Sequence, residues 1–331
     1  MIIGLYDVDS HNYPNLALMK ISAWHKAQGD TVEWINFFQH YDKVYVSKVF
    51  SDEYSQMDNT CINANEIVYG GTGFAITVEN GKEVYHKDRD KDLPYEVEHI
   101  YPDYSLYADL TKDRAYGFLS RGCPNNCSFC IVSPKETRCS HKVADLSEFW
   151  RGQKHIDILD PNLLACKDRM DLLQQLVDSG AKVNINQGFD ARFIDEEVAY
   201  KLLEMKDRLE CVHFAFDFMK NERAIVKGLK LAHDIIGLDS RRATVYMLTN
   251  YDTTLAEDIY RVRMIQSCGF QPDVRIYRKG THPRYLTDLQ RWSNSRFIYR
   301  STDIMDYVPR KDGKTFRELY ANELKESEET E

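Results

Sequence analysis

The chain has few of the features that mark membrane-spanning, secreted or repetitive proteins. Its longest apolar runs are short, such as Ile67-Val68-Tyr69, which argues against a membrane-spanning helix. Its 331 residues contain only eight cysteines, which are too few for the disulfide framework of a small secreted domain. No internal repeat is visible. The N-terminus begins a strand pattern without a basic leader, so we expect a cytoplasmic protein with no membrane segment.

Charge is distributed unevenly along the chain. The net charge of −9 argues against a protein whose whole surface binds nucleic acid. Residues 322–331 hold five Glu and one Lys, which predicts a solvated acidic tail. Between Arg275 and Arg317, eight Arg and three Lys stand against four Asp. Aromatic residues lie among these charges. The pattern is typical of a binding site for RNA or for a phosphate-bearing substrate, but also of a solvated helix face that covers a packed core.

Strand and helix patterns alternate over most of the sequence, which predicts an α/β protein with parallel sheets. Residues 1–74 predict a small Rossmann-like α/β domain, and residues 75–112 a polar connector with a hairpin at Asn80-Gly81. Residues 113–280 contain six βα units, which fit a partial (βα)6 TIM-type barrel. Residues 281–331 form a basic and aromatic C-terminal extension with the acidic tail.

Three cysteines lie close together in one predicted loop after an apolar strand. Cys123, Cys127 and Cys130 have Cys-x3-Cys-x2-Cys spacing. Thiolates are the ligands that iron–sulfur clusters prefer, and three of them leave one iron of a cubane without a protein thiolate. The spacing therefore predicts a cluster with one iron open to chemistry.

The pattern Cys-x3-Cys-x-aromatic-Cys, with Phe129 as the aromatic residue, resembles the signature of the radical S-adenosylmethionine (radical SAM) superfamily. The resemblance implies a 4Fe–4S cluster and S-adenosyl-L-methionine as cofactors. It also implies reductive cleavage of SAM to a 5′-deoxyadenosyl radical, with electrons from an external donor such as flavodoxin or ferredoxin. Phe129 is thereby a candidate for the cofactor site.

A structural zinc site is the alternative interpretation of these cysteines, because Cys-x2-Cys pairs often bind zinc. Cys139 or His141 would then supply the fourth ligand. Nothing pairs Cys139 with a second nearby cysteine, however, and the three-then-two spacing favours iron. The remaining cysteines, among them Cys166, Cys211 and Cys268, are expected to be packing residues.

The residues that follow each strand of the predicted barrel are candidates for the cofactor site, because barrel sites lie at the C-terminal ends of the strands. The second strand ends in Asp160 and Asn162, which in related proteins occupy the position that contacts the SAM amino group. A turn that caps the following segment is the alternative for this pair. The fourth and fifth strands end in Asp217 and Asn250, which are candidates for contacts with the nucleoside.

The third barrel strand runs into a dense set of polar residues. Gln187 and Asp190 are candidates to bind ribose or substrate, and Arg192 to bind the SAM carboxylate with its planar guanidinium. An ion pair between Asp190 and Arg192 that braces the strand ends is the alternative. His213, inside the fourth strand, is expected to be a satisfied core histidine.

The N-terminal region resembles the cobalamin-binding-like domain of one branch of the superfamily. Members that hold cobalamin through histidine have Asp-x-His-x-x-Gly after the first strand. Here Asp9-Ser10-His11-Asn12-Tyr13 is followed by Pro14 instead of glycine. We therefore expect this domain to have the fold without bound cobalamin.

Three functions from different classes remain open. The first is a radical SAM enzyme that acts on a small-molecule, phosphate-bearing or RNA substrate. The second is a non-catalytic iron–sulfur sensor or scaffold, and the third a zinc-stabilised nucleic-acid-binding module. The radical SAM motif with Phe129, Asn162 and Arg192 favours the enzyme.

Overall fold

The computed structural model describes residues 1–57, 61–79, 82–185, 187 and 189–325, with the backbone alone at residues 82 and 279. The turn at Asn80-Gly81, Asn186 at the end of the third predicted barrel strand, and the last six residues of the acidic tail lie outside these ranges. The described chain divides into two compact units. The first is Met1–Pro161 with Cys166–Asp168, and the second is Asn162–Ala165 with Arg169–Glu331.

The strands are β1 (Ile2–Asp7), β2 (Thr31–Trp34), β3 (Tyr41–Ser47), β4 (Ala64–Gly70), β5 (Ile76–Glu79), β6 (Lys82–Tyr85), β7 (Arg114–Gly117), β8 (Ser120–Arg121), β9 (His141–Lys142), β10 (His155–Ile158), β11 (Lys182–Ile185), β12 (Leu209–Ala215), β13 (Ala243–Thr249) and β14 (Gln271–Ile276).

The α-helices are α1 (Leu16–Ala27), α2 (Tyr95–Glu98), α3 (Ala108–Thr111), α4 (Val132–Lys135), α5 (Arg169–Ser179), α6 (Glu196–Leu203), α7 (Glu222–Leu231), α8 (Leu255–Ser267), α9 (Arg284–Asn294), α10 (Arg296–Ser301), α11 (Phe316–Leu319) and α12 (Ala321–Lys325). A turn of π-helix, Ala232–Ile236, continues α7.

The first four strands form a parallel sheet in the order β2-β1-β3-β4. Ile3 and Leu5 of β1 pack against Leu18 and Ile21 of α1, so the apolar side of that helix covers the sheet. Asn15 caps α1, because its side chain accepts a hydrogen bond from the Leu18 backbone N–H. The predicted strand–helix–strand pattern of the N-terminal region is confirmed.

The predicted hairpin is also confirmed. Strands β5 and β6 are antiparallel, and Glu79 pairs with Lys82, which leaves a two-residue connection. The turn residues Asn80-Gly81 themselves lie outside the described residues.

Six strands form a parallel sheet in the order β14-β13-β12-β11-β10-β7, so its strands follow one another in chain order. From Val212 onward in β12 and throughout β13, every second side chain is buried, as for Val212, Phe214 and Val245. The alternate side chains point to the other face, as the period of two in a strand requires. The structure is thus of the predicted α/β class.

The N-terminus of helix α8 is capped by side chains. Thr254 accepts a hydrogen bond from the Glu257 backbone N–H, while the Glu257 carboxylate accepts one from the Thr254 backbone, which is a capping box. No helix among the residues that the structure describes combines the length and apolar character needed to cross a bilayer.

Candidate cofactor and metal site

The three cysteines of the motif lie in one loop of the first unit, between the short antiparallel strands β8 and β9. Gly122 opens the loop with φ of +85°, and a Cβ there would lie 2.2 Å from the Cys139 carbonyl oxygen. Both the left-handed backbone and the close approach require glycine. The sequence Gly122-Cys123 therefore brings the start of the loop against its end.

Backbone hydrogen bonds fold this loop on itself. The Cys123 N–H donates to the Thr137 carbonyl at 3.0 Å, and the Cys130 N–H to the Cys127 carbonyl at 3.0 Å. The Ser133 hydroxyl donates to the Asn125 carbonyl at 3.0 Å. Cys123, Cys127 and Cys130 are half-buried, as is Phe129. The loop therefore carries three thiols at its surface rather than in an apolar core.

The donor chemistry of this loop fits an iron–sulfur cluster, because three thiols lie within eight residues of a loop held by backbone hydrogen bonds. Within the described ranges, the arrangement of side chains does not gather three or more His, Cys, Asp or Glu groups at one metal position. The prediction that these three cysteines bind a metal thus rests on residue type and spacing.

Glu136 holds the entrance of the cysteine loop. Its carboxylate accepts a hydrogen bond from the Gly122 N–H at 2.5 Å and lies 3.2 Å from the Arg121 guanidinium. The Arg121 guanidinium also covers the Phe118 ring at 3.9 Å. These contacts fix the direction in which the chain enters the motif.

The far end of the loop contacts the N-terminal sheet of the same unit. Lys135, the last residue of α4, donates a hydrogen bond to the Thr72 hydroxyl, which follows β4. Lys87 donates to the Lys135 carbonyl at 2.7 Å. The segment after Cys130 is therefore held against the carboxyl end of the parallel sheet.

Asp160 lies after β10, as predicted, and binds the backbone that precedes the motif. Its carboxylate accepts hydrogen bonds from the Leu119 N–H at 2.8 Å, the Ser120 N–H at 2.6 Å and the Ser120 hydroxyl at 2.6 Å. Burial raises the pKa of Asp160 to about 7, against the opposing effect of the hydrogen bonds and of Arg121. Asp160 thus positions the start of the cysteine loop.

Asn162 and Asp190 contact each other in the second unit. The Asn162 side-chain amide donates to Asp190 Oδ2 at 3.0 Å, and Asn162 Oδ1 accepts from the Ala165 N–H at 3.3 Å. The hydrogen bond from the Ala165 N–H belongs to a turn that caps the following segment, which was the alternative prediction for Asn162. Both residues nevertheless lie at the carboxyl ends of parallel strands.

Arg192 forms the ion pair that was the alternative to cofactor binding. Its Nε donates to Asp190 Oδ1 at 2.8 Å and its Nη2 to Asp190 Oδ2 at 2.6 Å. About a quarter of the Arg192 side chain is exposed, at 24%. Gln187 is exposed.

Helix α7 packs on the turn that carries Asp190 and Arg192. A Cβ at Gly228 would lie 1.8 Å from the Ala191 carbonyl oxygen, so only glycine permits this approach. The helix therefore fixes the turn that carries the ion pair.

Asp217 and Asn250 join the carboxyl ends of the last three strands. Asp217 accepts a hydrogen bond from the Leu248 N–H at 2.9 Å, and burial raises the pKa of Asp217. Asn250 has a left-handed backbone with φ of 62°, and its side-chain amide donates to the Tyr277 carbonyl at 2.7 Å. Each predicted residue here has a partner in the backbone of a neighbouring strand.

Arg261 belongs to the same set of strand ends but was not predicted. This fully buried side chain of α8 donates to the Phe216, Asp217 and Leu248 carbonyls at 2.9, 3.0 and 2.8 Å, and it pairs with Asp258. The signal in the sequence was an Asp and an Arg three residues apart on the apolar side of a predicted helix.

The aromatic residues of the basic C-terminal region are divided between core and surface. Trp292 is fully buried and its indole N–H donates to the Thr302 carbonyl at 2.8 Å, whereas the Tyr299 hydroxyl donates to the Phe270 carbonyl at 3.0 Å. Phe297 is 82% exposed, between the exposed Arg296 and Arg300. Phe297 is thus the ring of this group that is open to a ligand.

His11, the candidate cobalt ligand by position, is exposed and has a left-handed backbone with φ of 50°.

No model of a known protein family matches the chain, and no curated protein matches it.

Proposed function

We propose that this chain is a radical SAM enzyme in which Cys123, Cys127 and Cys130 hold a 4Fe–4S cluster. The observation that carries the proposal is the Cys-x3-Cys-x-Phe-Cys motif in a single loop. Such a cluster, when bound, supplies the electron that cleaves SAM and the open iron that binds it. The proposal includes the finer fold: a Rossmann-like N-terminal domain and a partial (βα)6 barrel, which the chain order of the six-stranded sheet supports.

The side chains near the motif would keep the loop in place while its thiols hold the metal. Asp160 binds the Leu119 and Ser120 N–H groups, and Glu136 binds the Gly122 N–H, so the residues before Cys123 are held by two carboxylates. Neither carboxylate needs to act as a base. Their role is to position the ligands, because a cofactor enzyme contributes binding, orientation and shielding.

Arg192 is proposed to bind the carboxylate of SAM. Its guanidinium is held in a defined direction by Asp190, and the planar guanidinium matches the geometry of a carboxylate ligand. Asn162, through its contact with Asp190, would help to orient the same group. Gln187, Asp217 and Asn250 remain candidates for ribose and base contacts.

A substrate that bears phosphate, including RNA, is proposed for the basic C-terminal region, where Phe297 offers an exposed ring between two arginines. An external one-electron donor such as flavodoxin or ferredoxin would reduce the cluster. These proposals agree with a cytoplasmic enzyme, because an exposed iron–sulfur cluster needs a reducing environment.

Anaerobic reconstitution with iron and sulfide tests the metal assignment. We expect about four iron and four sulfide per chain in the wild-type protein, from the composition of a cubane cluster. Replacing Cys127 with Ala should abolish a stable cluster, because only three thiolates of the loop hold it. Cys139→Ala is the matched control, since Cys139 lies in the same loop outside the motif.

Two results would overturn the metal assignment. The first is a Cys127→Ala protein with full iron content. The second is a purified protein that is colourless and retains zinc through reconstitution, which would favour the zinc-stabilised module and a ligand role for Cys139 or His141.

A further inference from the structure

Cys211, His213 and Thr244 form a row of hydrogen-bonded side chains on the strands of the second unit. None of the three is a candidate for the cofactor site described above. Cys211 Sγ lies 3.3 Å from His213 Nε2, and His213 Nδ1 lies 2.9 Å from Thr244 Oγ1. The imidazole also stacks on the Tyr246 ring, with centroids 4.8 Å apart and an interplanar angle of 5°. The ring of His213 is therefore fixed on one face and at both nitrogens.

The strand pattern dictates this row. Cys211 and His213 are two residues apart in β12, so their side chains lie on the same face, while Val212 and Phe214 fill the opposite, fully buried face. His213 pairs in register with Thr244 of β13, which places that hydroxyl beside the imidazole. Cys211 thus lies on the polar face, away from the apolar core in which a cysteine serves packing alone.

The surroundings of Cys211 and His213, above all their burial, favour the neutral form of each side chain. Burial raises the pKa of the Cys211 thiol, Glu210 adds to this effect, and the Arg296 guanidinium opposes it. Burial lowers the pKa of His213, with Arg275 in the same direction and Asp273 in the opposite one. Near pH 7 the row therefore consists of a thiol and a neutral imidazole, which is the form that can accept a proton from the thiol.

We propose that Cys211 is a nucleophile, His213 its general base and Thr244 the positioning residue that orients the imidazole. A nucleophile, a base within hydrogen-bond reach and a third group that orients the base are the three parts such a site needs. The ligand class is a small activated acyl compound, a thioester or an activated ester. This assignment is independent of the radical SAM proposal.

The reaction balances without a redox partner. Cys211 Sγ bonds to the carbonyl carbon as the thiol proton passes to His213 Nε2. The tetrahedral adduct then expels the leaving group, which takes that proton from His213, and the acyl group remains on Cys211. Water or an amine next attacks the new thioester, which releases acid or amide and returns the thiol. The positive charge of Arg296 on the Cys211 side has the sign that the transient oxyanion requires.

Acylation by p-nitrophenyl acetate tests the proposal on the full chain. We expect a burst of p-nitrophenol that is lost in Cys211→Ser, with the acetyl group located on Cys211 by mass spectrometry. His213→Gln, which keeps a hydrogen-bonding side chain, should slow acylation of Cys211 about 100-fold. Thr244→Val should slow it less. Cys61→Ser and His40→Gln are controls, since both residues are exposed.

The pH profile of the wild-type protein gives a second readout that does not depend on any variant folding. The rate of Cys211 acylation should rise with a midpoint below the ordinary histidine pKa of about 6.5, because burial lowers the pKa of His213 and the neutral imidazole is the base. A rate that instead keeps rising above about pH 8.5, where thiols begin to ionise, would show that the free thiolate reacts unaided and would overturn the proposal. So would an unchanged Cys211 rate in His213→Gln, or acetylation confined to the exposed cysteines.

Discussion

The Asp160 carboxylate receives three hydrogen bonds from Leu119 and Ser120, two of them from backbone N–H groups at 2.8 and 2.6 Å. Asp160 is 2% exposed, so these donors have little access to water. The two residues that it holds lie four and three positions before Cys123. The carboxyl end of β10 is thus bound to the start of the cysteine loop.

Asp160→Asn should reduce the pH dependence of stability. Burial raises the folded-state pKa of Asp160 to about 7 from the ordinary aspartate value of 3.8, so the folded protein binds the proton more tightly than the unfolded chain does. The unfolding free energy should therefore fall as pH rises between these two values, by up to about 1.4 kcal/mol per pH unit from this group. Urea titrations of wild type and Asp160→Asn at several pH values measure the difference.

The Asp160→Asn curve should be flatter over that interval and parallel to the wild-type curve above pH 8. Identical slopes for the two proteins between pH 4 and 7 would contradict a raised pKa at this residue. Asp178→Asn, an exposed change on α5, serves as the control.

Gly228→Ala should destabilise the turn that carries Asp190 and Arg192. The added Cβ would meet the Ala191 carbonyl oxygen at 1.8 Å, and backbone cannot move as a side-chain end can. We expect a loss of about 3 kcal/mol in unfolding free energy, at the upper end for overpacking. Gly280→Ala is the control, because a Cβ there meets nothing within 4 Å. Equal melting temperatures for the two variants would contradict this packing.

The sequence predicted the strands and helices well because their signals are local. The apolar period of β12 and the cap at Thr254 each depend on residues within a few positions. The partners of the polar residues could not be predicted in the same way. Asp160 binds a residue 41 positions away, and Arg261 one 45 positions away. Such contacts depend on the order of the strands in the sheet. A local sequence pattern does not predict that order.

The same limit applies to the interpretation of single residues. Arg192 was predicted either to bind SAM or to pair with Asp190, and the residue types fit both. The structure shows the ion pair with Asp190, and the binding of SAM by Arg192 stays a prediction. His213 was predicted to be a satisfied core histidine. Both of its ring nitrogens have partners, but the side chain is half-buried on the polar face of β12. Its thiol partner, two residues away, was not predicted.

Arg261→Met should destabilise the second unit strongly. The change would leave Asp258 as a buried carboxylate without its cation and would remove the donor from three strand-end carbonyls. We expect a loss of about 3 to 5 kcal/mol in unfolding free energy. Arg241→Met is the matched control, because Arg241 pairs with Asp239 at the surface, where solvent screens the pair. Similar losses in both variants would contradict a special role for Arg261.

Arg192→Ala should weaken SAM binding by about tenfold or more while the iron content stays unchanged. The loss corresponds to one charge-assisted interaction with a carboxylate. Equilibrium dialysis of the reconstituted protein with labelled SAM measures the affinity. Arg169→Ala is the control, since Arg169 also pairs with an aspartate, Asp195, in the same unit. Unchanged affinity in Arg192→Ala would limit Arg192 to its ion pair with Asp190.

Release of 5′-deoxyadenosine tests the central claim most directly. The reconstituted protein is incubated anaerobically with SAM and dithionite, and the product is measured by chromatography. The account predicts 5′-deoxyadenosine from the wild-type and Cys139→Ala proteins and none from Cys127→Ala. A protein with a full 4Fe–4S complement that binds SAM but releases no 5′-deoxyadenosine, with dithionite or flavodoxin as the electron source, would contradict the enzyme assignment and favour the sensor.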